Sequence, residues 1–131
     1  MEEKRARLRE QGKAVRFLPT YATQHLPEPA LRVLVEKKEM LQERIIMLMS
    51  GEELDEGELM VQLHKDIYFA LDNDVSVVHL RRFWWNDVNQ RWAHQRRGVS
   101  ISLDEGLSAL EVIADLTAQY MPDLAPHSSE M

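Results

Sequence analysis

Between Val75 and Trp85 the chain is dense in Val, Phe and Trp, with turn-forming residues on both sides. β-Branched and aromatic side chains suit a pleated, half-buried surface, so this run reads as the best strand in the sequence. Asp72-Asn73-Asp74 ahead of it and Asn86 to Gln90 behind it read as turns. Arg91 to His94 can then pair back. Gly98 reads as a break, and Val99-Ser100-Ile101-Ser102-Leu103 alternates as a further short strand. Upstream, Leu59 to Leu71 is ambiguous. Val61, Leu63, Ile67, Phe69 and Leu71 alternate as on a strand, interrupted by Lys65, while Leu59, Leu63 and Ile67 also suit a helix. Three or four short strands joined by short turns imply an antiparallel meander.

Helical signals lie on either side of this region. From Ala30 to Ser50, Leu31, Leu34, Leu41, Ile45 and Leu48 recur at three- and four-residue spacing, with Lys38 interrupting the stripe. Pro29 stands where a helix can begin, and Gly51 where one can stop. Downstream, Ser102-Leu103-Asp104-Glu105 reads as a capping box. The helix it opens carries Leu107, Leu110, Ile113, Leu116 and Tyr120 on one side, and Met121-Pro122 ends it. The fold class expected is therefore α+β: a curved antiparallel meander, a C-terminal helix and an additional N-terminal helix.

The remaining segments follow from charge and composition. Residues 1–28 read as a basic arm and an extended Pro-containing stretch, 29–51 as the N-terminal helix and 52–58 as an acidic connector. Residues 59–121 form the meander-plus-helix domain, and 122–131 a disordered tail. A chain of 131 residues can bury one sizeable core without metal or disulfide. Cysteine is absent, which removes a thiolate nucleophile, sulfur-ligated zinc and a disulfide framework. No apolar run approaches the roughly 20 residues that span a bilayer, and the charged start Met1-Glu2-Glu3-Lys4-Arg5 lacks a secretory core. An intracellular protein, cytoplasmic or at the nucleoid or nucleus, without membrane contact is expected.

Enzyme signals are weak. His25, His64, His79, His94 and His127 show no metal-ligand spacing, and the five glycines form no phosphate-binding loop. No catalytic step, metal or cofactor is expected. The chemistry is concentrated elsewhere. All three tryptophans and the arginines Arg81, Arg82, Arg91, Arg96 and Arg97 fall between His79 and Arg97, against the single Asp87. That is a local formal charge of about +4 within a protein whose total is −6. Aromatic faces interleaved with cations are what stacking on bases and pairing with phosphates require. On a strand, Phe83 and Trp85 share one face and Trp84 the other. One face goes to the core. The other displays a large aromatic beside arginine, and its cover is a base, a partner protein or the chain's own N-terminal helix.

Leu80-Arg81-Arg82-Phe83-Trp84, a polar turn, then Arg96-Arg97-Gly98 leading to Ile101-Ser102-Leu103 and a helix resembles the positive-cofactor-four family of transcription coactivators. The resemblance spans about residues 66–120 and rests on short motifs. It implies a curved four-stranded sheet, dimerisation through the C-terminal helix, and single-stranded nucleic acid bound in the sheet channel. By position, Trp84 would stack on a base, Arg96 and Arg97 would hold phosphates, Arg81 would match the strand arginine and Phe83 the strand tyrosine. The sequence departs from the family by two inserted residues, Val99-Ser100, and by Arg82 in place of an acidic residue.

Together these readings predict a single-strand DNA- or RNA-binding accessory protein of transcription or replication, with Arg81, Phe83, Trp84, Arg91, Trp92, Arg96 and Arg97 as the binding residues. The alternative is an interaction factor that docks on a larger machine such as RNA polymerase or another transcription protein. Two apolar helix faces and one small sheet are more than a monomer buries easily, so a homodimer is expected.

Overall fold

The computed structural model describes residues 18–72 and 74–124, the last by its backbone alone. Residues 18–24 are helical (α1). They are followed by α2 (Glu28–Glu36), α3 (Lys38–Met49) and a single turn, α4 (Glu56–Leu59). Four strands come next: β1 (Met60–His64), β2 (Ile67–Asp72), β3 (Val77–Asn86) and β4 (Arg91–Ser102). The helix α5 (Leu103–Tyr120) and a short 3-10 turn at Pro122–Leu124 close the described chain. The strands form one antiparallel sheet in the order β1-β2-β3-β4. The fold is thus α+β, an antiparallel meander with a C-terminal helix and N-terminal helices, as the sequence predicts.

Alternation decides which sheet face meets the helices. Val61 and Leu63 of β1, Ile67, Phe69 and Leu71 of β2, Val78 and Leu80 of β3, and Val99 and Ile101 of β4 all point to one side. They join Leu18, Leu34, Leu41, Ile45, Leu110 and Ile113 of the helices in one core. Phe69 is fully buried at its centre. Truncating a phenylalanine so placed costs about 3–5 kcal/mol. α2 lies against β1 and α3 lies along α5, so the N-terminal helices belong to the same core as the sheet.

Several local expectations change. The extended Pro-containing stretch expected before residue 29 contains α1, in which Leu18 and Ala22, one helical turn apart, are both fully buried. The single helix expected over 30–50 is two, parted at Lys37 (φ −96°, ψ 10°). An unbroken helix would carry the polar Lys38 on the stripe of Leu31, Leu34 and Leu41. The break instead lets Lys38 pair with Glu111 of α5 at 3.1 Å. The ambiguous run from Leu59 to Leu71 is a hairpin: Lys65 takes a left-handed conformation (φ 52°) in the turn, which is why the alternation is interrupted there. Val75, expected in a strand, lies in the β2–β3 loop, where Asp72 Oδ1 accepts the backbone N–H of Asp74 and Val75. Gly98 does not break the chain, and β4 runs through it. The Ser102 cap is as predicted: its hydroxyl accepts the Glu105 N–H, and Glu105 accepts the Ser102 N–H. Residues 1–17, which hold the expected basic arm, and most of the expected disordered tail lie outside the described residues. Among the described residues, no helix is long and apolar enough to cross a membrane.

Candidate nucleic-acid interface

The sheet face turned away from the helices is aromatic. β3 contributes His79, Arg81, Phe83 and Trp85. β2 contributes Tyr68 and Ala70, and β4 contributes Trp92, His94 and Ser100. The rings touch in an unbroken series. His79 meets Phe83 and His94 at centroid distances of 6.4 and 6.2 Å, and Phe83 meets His94 at 5.5 Å. Tyr68 meets Phe83 edge-on at 6.1 Å and Trp92 at 5.4 Å, and Trp92 meets Trp85 edge-on at 5.8 Å. The pairs among Tyr68, Phe83, Trp85 and Trp92 contribute about 0.5–1.5 kcal/mol each beyond their buried area. Phe83 is buried although it stands outside the helix-packed core, so its neighbours in this ring series are what cover it.

Arg81 lies under these rings. It is 8% exposed and forms no ion pair with any described residue. Its guanidinium donates to the carbonyls of Gln95 and Arg96 at 3.3 Å and to the Ser100 hydroxyl at 2.5 Å, and it lies 3.5 Å from His94 Nδ1, which is itself 3.0 Å from the Gln95 carbonyl. Burial lowers its pKa from the usual arginine value, and Tyr21 opposes that shift. Arginine nonetheless stays charged at any physiological pH. A buried cation with no carboxylate partner among the described residues therefore sits at the floor of the aromatic face. It also holds a bulge in place. The ladder pairs Arg81 with Gly98 and Phe83 with His94, which leaves Gln95, Arg96 and Arg97 opposite Arg82 alone. A bulge pushes residues out of the ladder, and here Arg96 and Arg97 are exposed. Arg82 is taken up by an ion pair with Asp66.

Trp84 and Arg91 are both exposed and share the opposite side of the hairpin with Ala93. The structure therefore divides the residues that sequence brings together. Phe83 and Trp92 belong to the ring series, Arg81 lies beneath it and Arg96 and Arg97 flank it at the bulge, but Trp84 and Arg91 face the other way. Tyr68, His79, Trp85 and His94 are part of the ring series and are not among the binding residues expected from sequence. Two-residue alternation from Phe83 points to His79 and Trp85. Only the strand pairing, which fixes who stands opposite, reveals Tyr68 and His94.

Two further contacts shape the surface. Trp92 Nε1–H donates to Glu56 of α4 at 3.1 Å, bringing the acidic connector to one end of the ring series. His79 Nδ1 lies 2.7 Å from the Ser100 hydroxyl, while its Nε2 faces Asp72 at 3.9 Å. Burial, then the Arg81 charge, hold the His79 pKa below the usual histidine value, opposed by Asp72. On the helix side, burial raises the Tyr21 pKa, while the fields of Arg82, Arg81 and Arg97 pull it down. Among the described residues, no cluster of three or more His, Asp or Glu side chains could hold a metal ion. Compared with protein families, with curated proteins and with solved structures, the chain has no match.

Proposed function

We propose that the chain binds single-stranded DNA or RNA on the outer face of its sheet, as an accessory factor of transcription or replication without a catalytic step. The observation that carries this reading is the unbroken ring series from His79 to Trp85 beside the exposed Arg96 and Arg97. Ring faces stack on bases without regard to sequence, each contributing about 1–3 kcal/mol, and cations alongside take the phosphates. The net charge of −6 argues against indiscriminate coating of nucleic acid and for one local site. Fluorescence titration with a single-stranded oligonucleotide at two salt concentrations tests the reading. Quenching of tryptophan emission with a salt-sensitive constant supports it, and unchanged emission removes it.

A second reading, docking on a protein such as a polymerase subunit, draws on the other side of the same hairpin. Trp84 is 47% exposed and Val88 at the turn is 91% exposed. A strand on the ring series would leave both uncovered. Binding of a protein partner that survives loss of the ring surface, but is lost in Trp84→Ala, would identify this second interface.

A further inference from the structure

The ring series accounts for stacking, and Arg96 and Arg97 for phosphates at the bulge. The group around Ser100 is left over. Ser100 is exposed and stands directly opposite His79 in the ladder. Its oxygen receives one hydrogen bond from Arg81 Nη2 and lies 2.7 Å from His79 Nδ1. Arg81 is more than nine-tenths buried and has no carboxylate partner among the described residues. Resting on the single-strand reading above, we propose that Ser100 and His79, over the buried Arg81, form a seat for one phosphate group, and that filling it is coupled to uptake of a proton by His79.

The coupling follows from the donors and acceptors present. A serine hydroxyl has one proton and two acceptor sites, and a neutral imidazole has one N–H and one bare nitrogen. Asp72 faces Nε2 of His79, which favours the proton there and leaves Nδ1 bare. The Ser100 proton then points at Nδ1 and is unavailable to a ligand. When His79 is protonated, Nδ1–H donates to the Ser100 oxygen instead. Both acceptor sites of the hydroxyl are then filled, one by Arg81 and one by His79, and its proton turns outward. Protonation thus adds a positive charge and exposes a donor at the same point. A phosphate oxygen accepts that donor and is attracted by both cations.

The groups facing His79 support this assignment. Arg81 of the same strand and His94 of β4, stacked on it at 6.2 Å, both disfavour its protonation, as does burial. Among the described residues Asp72 of β2 favours it, from the side away from Ser100. In the free protein His79 is therefore held neutral near pH 7, and an anion at Ser100 supplies the missing counter-charge. By linkage, the factor by which the anion raises the proton affinity of His79 equals the factor by which the proton raises anion affinity. The phosphate comes from a bound strand or from free inorganic phosphate, and the chemistry recognised is the same.

The test uses the full chain in two arms. In the first, histidine ring resonances are followed by NMR against pH with and without inorganic phosphate. His79 should titrate at higher pH when phosphate is present. A His79 titration that phosphate leaves unmoved overturns the proposal. In the second, affinity for an oligothymidylate is measured at pH 8 and pH 6. Binding should tighten several-fold on acidification, with a ceiling of about tenfold per pH unit for one proton. His79→Gln and Ser100→Ala should abolish that gain. His94→Gln should weaken binding at both pH values while the gain on acidification persists. A gain that persists in His79→Gln sinks the assignment. If the oligonucleotide binds at neither pH while phosphate still shifts His79, the seat stands and the single-strand reading falls.

Discussion

Gly98 lies directly across the ladder from Arg81, and a β-carbon at position 98 would stand 2.5 Å from the Arg81 β-carbon and 2.8 Å from the Leu80 carbonyl oxygen. Its φ of 144° is a conformation that side chains rarely adopt. The close approach allows the arginine stem to lie flat under the bulge, and the bulge in turn displays Arg96 and Arg97. Gly98→Ala should therefore destabilise the protein by about 2–5 kcal/mol, from backbone strain and overpacking together. Denaturant unfolding measures it. A loss under about 0.5 kcal/mol, the range of an ordinary surface change, would mean the bulge relaxes at no cost.

The tryptophans on the two sides of the hairpin should separate. Trp92 belongs to the ring series and touches Tyr68 and Trp85. Trp92→Ala should weaken single-strand binding by about 1–3 kcal/mol, the usual value of a stacking aromatic. Trp84→Ala should leave single-strand affinity close to the parent's, and the fold intact, because Trp84 is 47% exposed on the other side. The reverse pattern in an equilibrium titration would place the strand where the sequence resemblance puts it.

Arg96→Ala and Arg97→Ala should each lower the slope of log affinity against log salt by about 0.7, the single-strand value for one phosphate contact. Both side chains are exposed in the bulge, so the fold should tolerate their loss. Affinity should fall alike for all sequences. A slope that stays fixed in both variants would show that neither cation meets a phosphate.

His79 gives the stability a definite pH dependence. Its folded pKa is lowered, chiefly by burial, while the unfolded chain titrates near the ordinary value of about 6.5. Between the folded pKa and about 6.5 the unfolded state binds more protons, so stability rises with pH there. Its contribution is full above this window and is lost progressively as pH falls through it. His79→Gln should flatten that part of a curve of midpoint against pH. A curve of the same shape in the variant would assign the acid loss to other groups.

The fold was legible in sequence to the extent that period and cap chemistry are local. The alternation of Val61, Leu63, Ile67, Phe69 and Leu71, the Ser102–Glu105 box and the stripe around Leu110 are all visible in short windows. What was not legible depends on partners distant in sequence. The break at Lys37 makes sense only once Glu111 is known to lie beside Lys38. Gly98 reads as an interruption because its close neighbour, Arg81, is seventeen positions away. The same holds for the site. Sequence and resemblance select Trp84 as the stacking residue, but register places Tyr68 and His94 with Phe83 on the opposite face. Alternation says which residues share a face, and only the helix layer says which face is free.

α5 is covered by α3 of the same chain. In the resembled family the C-terminal helix makes the dimer. Here Leu110 and Ile113 are buried within one chain, and α3 lies along the helix. Gln42 of α3 donates to the Leu107 carbonyl at 3.3 Å and to Glu111 at 3.1 Å. The contact is close: a β-carbon on Gly106 would stand 2.9 Å from Val78 and 3.3 Å from Ile45. Ile45→Ala should accordingly cost about 2–5 kcal/mol, as expected for a fully buried isoleucine. Removing residues 1–50 altogether would strip α1, α2 and α3 from the core, and the remainder should lose cooperative unfolding and aggregate. Calorimetry with light scattering distinguishes the outcomes. A remainder that melts cooperatively as a dimer would show that α5 can exchange its cover in the same chain for a second copy, and that the N-terminal helices occupy a surface the sheet and α5 can also use to self-associate.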